Sequence, residues 1–188
     1  MKNAFLLGLA LVAATILPAS AGSYVTAFGG ANWDDVNSEI TSDTGGTVGV
    51  AFGDSVKAVP GLRAEIEGSF RTNDVSFAYI SAKHKTEALM GNLAYDFPID
   101  VLGLHPYALV GVGYAHSEGV IEDGLIGKLE ADGVAYQLGA GVTTQIADGV
   151  TAGIGYRYFG GPELQVFGES LSDGTNHSVL ASLTMSLN

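Results

Sequence analysis

The histidines are the first places to look for chemistry in this chain. His116 is followed by Ser117 and Glu118, and His177 by Ser178, so each sets a base beside a hydroxyl, as acyl transfer requires. On a strand, however, a nucleophile and its base share a face only when two residues apart; adjacent residues point to opposite faces. A loop at His116 would relax that rule, since a triad is defined by geometry and not by order. His116 and His177 are therefore read as interfacial polar residues, and His84 and His105, at predicted strand ends, as solvated imidazoles. No zinc spacing links the 4 His, and 0 Cys means no thiolate metal or redox site. Asp35, Asn37 and Glu39 alternate as calcium ligands do, but Ile40 stands where a calcium loop needs Gly. The glycine pairs Gly111/Gly113, Gly139/Gly141 and Gly153/Gly155 never complete G-x-G-x-x-G before a helix. The expectation is a chain with no catalytic residue, no cofactor and no metal.

Composition narrows the class. Among 188 residues, 8 Lys+Arg face 20 Asp+Glu, a net charge of −12 that argues against a nucleic-acid partner. With 47% hydrophobic residues, 15% charged and 27 Gly, the chain is unusual for a soluble enzyme and too apolar for disorder. Residues 1–21 have the pattern of a secretory signal peptide: Lys2, an apolar run from Ala4 to Leu17, then Pro18-Ala19-Ser20-Ala21. That run is shorter than the roughly 20 residues a spanning helix needs. Residues 22–188 are then expected to form one domain in a bacterial envelope.

The rest of the chain breaks into segments of alternating character, the period-2 mark of strands. Leu62, Ala64, Ile66, Gly68 and Phe70 oppose Arg63, Glu65, Glu67, Ser69 and Arg71. Val134, Tyr136, Leu138, Ala140 and Val142 oppose Ala135, Gln137, Gly139, Gly141 and Thr143. The segments 150–159 and 178–187 behave the same way, and 23–32, 46–54, 86–97 and 106–116 are compatible. The facing of the first segment stays open. Connections alternate from long (33–44, 72–85, 117–132, 161–175) to short (55–61, 98–105, 147–149), the short ones carrying Pro, Gly or Asp. An all-β, eight-stranded, antiparallel up-and-down transmembrane β-barrel needs that asymmetry, with short periplasmic turns and longer outside loops.

A soluble lipocalin-like barrel would share the alternation but wear its polar face outside, rich in Lys and Glu. Here that face is mostly Gly, Ser, Thr, Gln and Ala. Its charges balance, with Arg63, Arg71 and Arg157 set against Glu65, Glu67 and Asp96. Charges sealed in a narrow lumen must pair, because an unpaired one costs several kcal/mol. Aromatic residues on the apolar face (Phe52, Phe70, Tyr95, Phe97, Tyr114, Tyr136, Tyr156, Tyr158) suit the two membrane–water girdles. The pattern favours membrane over soluble.

The blocks Gly61-Leu-Arg-Ala-Glu-Ile-Glu-Gly-Ser-Phe-Arg71, Pro106-Tyr-Ala-Leu-Val-Gly-Val-Gly-Tyr-Ala115, Ala135-Tyr-Gln-Leu-Gly-Ala-Gly-Val142 and Gly155-Tyr-Arg-Tyr-Phe159 resemble the OmpA-type and opacity-type outer-membrane β-barrel surface proteins. The resemblance implies a barrel with charged partners locked in its lumen, and Arg63, Glu65, Glu67, Arg71 and Arg157 fall on matching positions. Such barrels usually end on an aromatic residue read by the barrel-assembly machinery, whereas this sequence closes on Met185-Ser-Leu-Asn188. A soluble domain after the barrel is not expected, so peptidoglycan tethering is not carried over.

Acidic residues concentrate in the long connections: Asp34, Asp35, Glu39 and Asp43 in the first, Glu118, Glu122, Asp123, Glu130 and Asp132 beside Lys128 in the third, Glu163, Glu169 and Asp173 in the fourth. They read as a solvated rim, or as a means of cation bridging to anionic lipopolysaccharide or of docking a basic partner. The expected function is a non-enzymatic surface protein of a Gram-negative outer membrane. Trp33, Asp34, Asp35, Glu39, Glu122 and Asp123 would meet a surface ligand or host protein. The alternative is a small porin-like passive channel, and a lipid-modifying enzyme is a third reading. Expected partners are outer-membrane lipid, lipopolysaccharide and the assembly machinery, with no nucleic acid.

Overall fold

The computed structural model describes residues 22–34, 41–42, 44–77, 80–121, 129–162, 164–166, 169–172 and 174–187. The signal peptide expected over 1–21, and the loop residues Asp35, Glu39, Glu122 and Asp123, lie outside the described residues. The strands are β1 (Tyr24–Asp34), β2 (Thr41–Ser42), β3 (Gly45–Ser55), β4 (Leu62–Phe77), β5 (Ile80–Asp96), β6 (His105–Ile121), β7 (Leu129–Ala147), β8 (Val150–Gly160), β9 (Leu164–Val166), β10 (Glu169–Ser172) and β11 (Thr175–Ser186).

The long strands pair antiparallel in the order β4-β3-β1-β11-β8-β7-β6-β5, and β4 pairs with β5 to close the ring. This is a closed eight-stranded antiparallel barrel. Closure satisfies the backbone within the sheet, which a wall facing hydrocarbon requires. β2 adds a short pairing to the top of β4, and β9 with β10 forms a separate hairpin. At the end that holds both strand termini, tight turns do the joining. Gly149 (φ 69°) turns β7 into β8, and Gly61 (φ 85°) adopts a backbone that a side chain would strain while its carbonyl accepts from Asp96 N at 2.8 Å.

Two expectations about the long connections are corrected. Residues 72–85 are mostly ladder, with β4 and β5 in register from Thr72↔Lys85 to Phe77↔Ile80. Residues 117–132 likewise continue β6 and β7 as far as Gly119↔Leu129. β4 to β7 therefore run 16, 17, 17 and 19 residues, where about 9–11 suffice to span a bilayer. Above the membrane both faces of a strand are wet, so polar alternation fades while pairing continues. Lys83, His84, Lys85, Thr86 and Glu87 show this: all are polar, yet all are in the ladder.

Facing follows the expected alternation. Ala88, Met90, Ala94, Ala115, Ala135 and Phe159 are buried inside, while Val112, Val134, Leu138 and Ile154 stand exposed on the outer wall. The open question about β1 resolves: Tyr24, Phe28, Asn32 and Asp34 are buried. The core is a thin apolar layer of three alanines with Met90 and Phe159 among polar side chains, which suits the narrow interior of eight strands.

Candidate functional site

All of the charged residues expected in the lumen lie on inward-facing positions, and they divide into two layers. Nearest the short turns, Arg63 clamps Asp96 with two bonds, Nε to Oδ2 at 2.8 Å and Nη2 to Oδ1 at 2.9 Å. Its Nη1 donates to Glu65 Oε1 at 2.6 Å and to Tyr24 Oη at 2.9 Å, while Tyr24 Oη donates to Glu65 at 2.7 Å. These groups line a cavity of about 360 Å³ in this end of the lumen, shared with Tyr107, Thr143 and Arg157.

Above the cavity the interior closes. Glu67 and Gln137 are 0% exposed and Arg71 is 2% exposed. Glu67 Oε2 accepts from Arg157 Nη1 at 2.8 Å, Asn92 Nδ2 at 3.0 Å and Gln137 Nε2 at 3.3 Å, and Gln137 Nε2 also donates to Asn92 Oδ1 at 2.7 Å. An ionised acceptor at low dielectric strengthens each of these bonds to Oε2, while Oε1 finds no partner among the described residues. Arg71 donates to Ser69 Oγ at 2.9 Å and lies over the Phe159 ring at 3.9 Å; Arg157 lies over Phe28 at 4.9 Å. Gly111 makes room for this layer, since a Cβ there would land on Asn92 Oδ1 and press on Gln137.

A third layer continues upward and corrects two expectations. Asp34 is not a solvated loop carboxylate: it ends β1 on an inward position, where Oδ1 accepts from Asn176 Nδ2 at 2.8 Å and Oδ2 lies 3.4 Å from His84 Nδ1. His84 is accordingly half-buried and partnered, not a free imidazole. Its Nε2 is 3.3 Å from Thr86 Oγ1, which is 2.9 Å from Ser117 Oγ. The order Asp34–His84–Thr86 imitates a catalytic triad, but the adjoining space measures about 10 Å³, room for one water and none for a substrate carbonyl. With Asp34 included, the lumen holds one carboxylate more than the expected balance.

The outer wall above the spanning region carries two sectors. On β1, β11, β8 and β7, Trp33 stacks on His177 (6.0 Å between ring centres), Tyr158 meets His177 edge-on at 5.2 Å, and Tyr156 Oη hydrogen-bonds His177 Nδ1. Trp33 thus belongs to a strand and to the aromatic belt, not to a loop. On β5, β6 and β7, two residues past the girdle residue Tyr114, His116 Nδ1 donates to Asp132 Oδ1 at 2.7 Å, and its Nε2 lies 3.3 Å from Glu118 Oε1. Burial works against charge on His116, but the hydrogen bonds to Asp132 and Glu118 outweigh it and raise the imidazole above its ordinary range. Ser117, between them, points inward to Thr86, so His116 and Ser117 do not meet; His177 and Ser178 are separated in the same way. Missed in the sequence were Asn92 and Gln137 as partners of Glu67, and the grouping of Glu87, His116, Glu118, Glu130 and Asp132. Inward and outward alternation carried through 86–92 and 116–132 holds the only signal for either.

A closed barrel with an apolar outer wall, an aromatic belt and charges paired inside defines an integral outer-membrane β-barrel protein. The family model for the outer membrane protein beta-barrel domain matches residues 4–184, and the chain belongs to that family. Among solved structures it is similar to Neisserial surface protein A (NspA), at 15% identity over 89% of this chain and 98% of that one, with a TM-score of 0.63. A major outer membrane protein of Thermus thermophilus aligns at 11% identity over 88% and 99% of the two chains, TM-score 0.61. The N-terminal β-barrel domain of Pseudomonas aeruginosa OprF aligns at 12% identity over 89% and 98%, TM-score 0.51. These likenesses establish the fold. No match was found among curated proteins. The protein is an outer-membrane protein of the Gram-negative cell envelope.

Proposed function

We propose that the protein is a non-conducting, non-enzymatic anchor that displays its upper strands and acidic loops at the cell surface for contact with a surface ligand or host protein. The supporting observation is the layer of Glu67, Asn92, Gln137, Arg71 and Arg157 across the lumen, whose members are all buried. A pore needs a wet, continuous path, and this layer replaces it with buried side chains, of which Glu67, Asn92, Gln137 and Arg157 are bonded to one another. Planar-bilayer recording tests the reading: the intact protein is expected to pass no steady single-channel current, and sizeable stable currents would favour the small passive channel.

The display half of the proposal rests on the height of β4–β7 above the girdle and on the charge of the connecting residues. Asp35, Glu39, Glu122 and Asp123, with Trp33 exposed near the end of β1, suit a basic partner. Deleting 35–40 together with 122–128 should abolish ligand or cell binding while leaving heat-modifiable migration in detergent gels intact; unchanged binding counts against display. Export by cleavage after Ala21, insertion by the barrel-assembly machinery, and contact with lipopolysaccharide belong to the same proposal. Mass spectrometry of the outer-membrane form, expected to begin at Gly22, tests the first of these.

A further inference from the structure

The end of the barrel that carries the short turns, periplasmic in such proteins, holds an apolar hairpin that neither the lumen nor the display role uses. Residues 97–104 join β5 to β6, and Ile99, Val101, Leu102 and Leu104 are all exposed there, Leu102 at 98%. The lumen cavity reaches Phe97 and His105 at the base of this turn but is lined by none of the four. The β7–β8 turn at the same end is polar, with Asp148 beside Gly149.

We propose that the β5–β6 turn is seated in the membrane, with Ile99, Val101, Leu102 and Leu104 among the acyl chains of inner-leaflet phospholipid beside the barrel.

Leu102 is a costly residue where it sits. The hairpin closes on the Val101–Leu104 bridge, with Val101 N donating to Leu104 O at 3.0 Å and Leu104 N to Val101 O at 3.1 Å. Its central residues, Leu102 (φ 58°) and Gly103 (φ 82°), both have the positive φ of a type I′ turn, whose first place favours Asn, Asp or Gly. Among the described residues, Leu102 is the one non-glycine with positive φ. A strained backbone that holds a leucine in the open points to an apolar contact beyond the chain.

The backbone of the turn is also prepared to leave water. Phe97 N donates to Pro106 O at 3.0 Å, Ile99 N to Phe97 O at 2.7 Å and Gly103 N to Asp100 Oδ1 at 2.8 Å. With the two bridge bonds, these donors are satisfied inside the turn or at its base, as hydrocarbon demands, and Pro98 has no N–H to satisfy. Asp100, the only charged residue of 97–104, is drawn back by its bond to Gly103 and lies 3.7 Å from His105 Nε2.

The height of the wall favours lipid over a soluble partner. The lipid-facing series of β6 runs from Pro106 to the girdle residue Tyr114. At about 3.3 Å per residue and a tilt of about 40°, that series covers roughly 20 Å, against the ~25 Å of apolar band that such barrels present. The turn extends the same strands downward, so its four apolar side chains complete the band. This seating does not depend on what the loops bind.

The test is fluorescence from a single reporter. Trp33 is the one tryptophan of the chain, so a Trp33→Phe background accepts Leu102→Trp or, separately, Ile99→Trp as its only indole. Each protein is refolded into phosphatidylcholine vesicles, and heat-modifiable migration verifies the barrel. Both reporters are expected to lose intensity to phospholipid brominated on its acyl chains, more strongly than Asp148→Trp in the same background, and to lose little to aqueous iodide. Bromine quenching no stronger than at Asp148→Trp would overturn the proposal. Strong iodide quenching of both reporters would do the same, and would leave the turn to a soluble periplasmic partner.

Discussion

Two carboxylate-rich regions of this molecule sit on the same strands and differ in almost every other respect. Inside, Glu67 is sealed from water, and its ion pair with Arg157 is supported by two amides. Outside, Glu118 and Glu130 oppose each other with His116 between and Asp132 behind. In the inner region three donors converge on Glu67 Oε2, so its energy resides in folding. The outer pair His116–Asp132 is partly open to water, which screens it, so it adds little to folding. A buried ion pair closes the lumen, whereas a half-exposed pair at the rim contributes little to stability.

The sharpest way to break that contrast is to unbalance the interior. Arg157→Ala strands Glu67 in the lumen and should destabilise the barrel by about 3 kcal/mol, read as a lowered urea midpoint of the refolded protein in micelles. An unchanged midpoint would deny the inner layer its structural role. Gly111→Val acts by volume instead of charge, pushing Asn92 and Gln137 out of the layer, with an expected cost of about 2 kcal/mol in the same assay. On the outer wall the effects shrink. Trp33→Ala removes the stack on His177 and should cost about 1 kcal/mol.

Smallest in stability is the titration of His116. Its raised proton affinity means that the stabilising pairing with Asp132 is complete below the ordinary imidazole pKa and is lost as pH rises through the raised one. An NMR titration should place the His116 midpoint above that of an unperturbed imidazole, and Asp132→Asn should move it down. A midpoint indifferent to Asp132 would remove the reason for the ring's orientation.

Most of the barrel was legible because lipid and lumen impose opposite demands on successive residues. Leu62 through Arg71 alternate without a break, and the structure faces them accordingly. Legibility stopped where the lipid stopped. Past Thr72 and Ser117 neither face meets hydrocarbon, so residues that pair in ladders looked like loop. Asp34 was misplaced for the same reason: it continues the inward series Tyr24, Thr26, Phe28, Gly30 and Asn32 by one more step, but acidic neighbours in 34–43 disguised it as rim.

The amino-acid order alone determined the strand class, the strand number, which face is greasy and which charges must hide, because each follows from period and solvent preference within a few residues. Partnership was decided only by closure of the ring. Arg157 and Glu67 stand 90 positions apart, on strands that no local pattern relates, and meet across the lumen. His116, Glu118, Glu130 and Asp132 likewise became one cluster only when the β6–β7 register set them opposite each other. Charge type is written residue by residue, whereas the distance between charges depends on how many strands lie between them and how those strands are staggered.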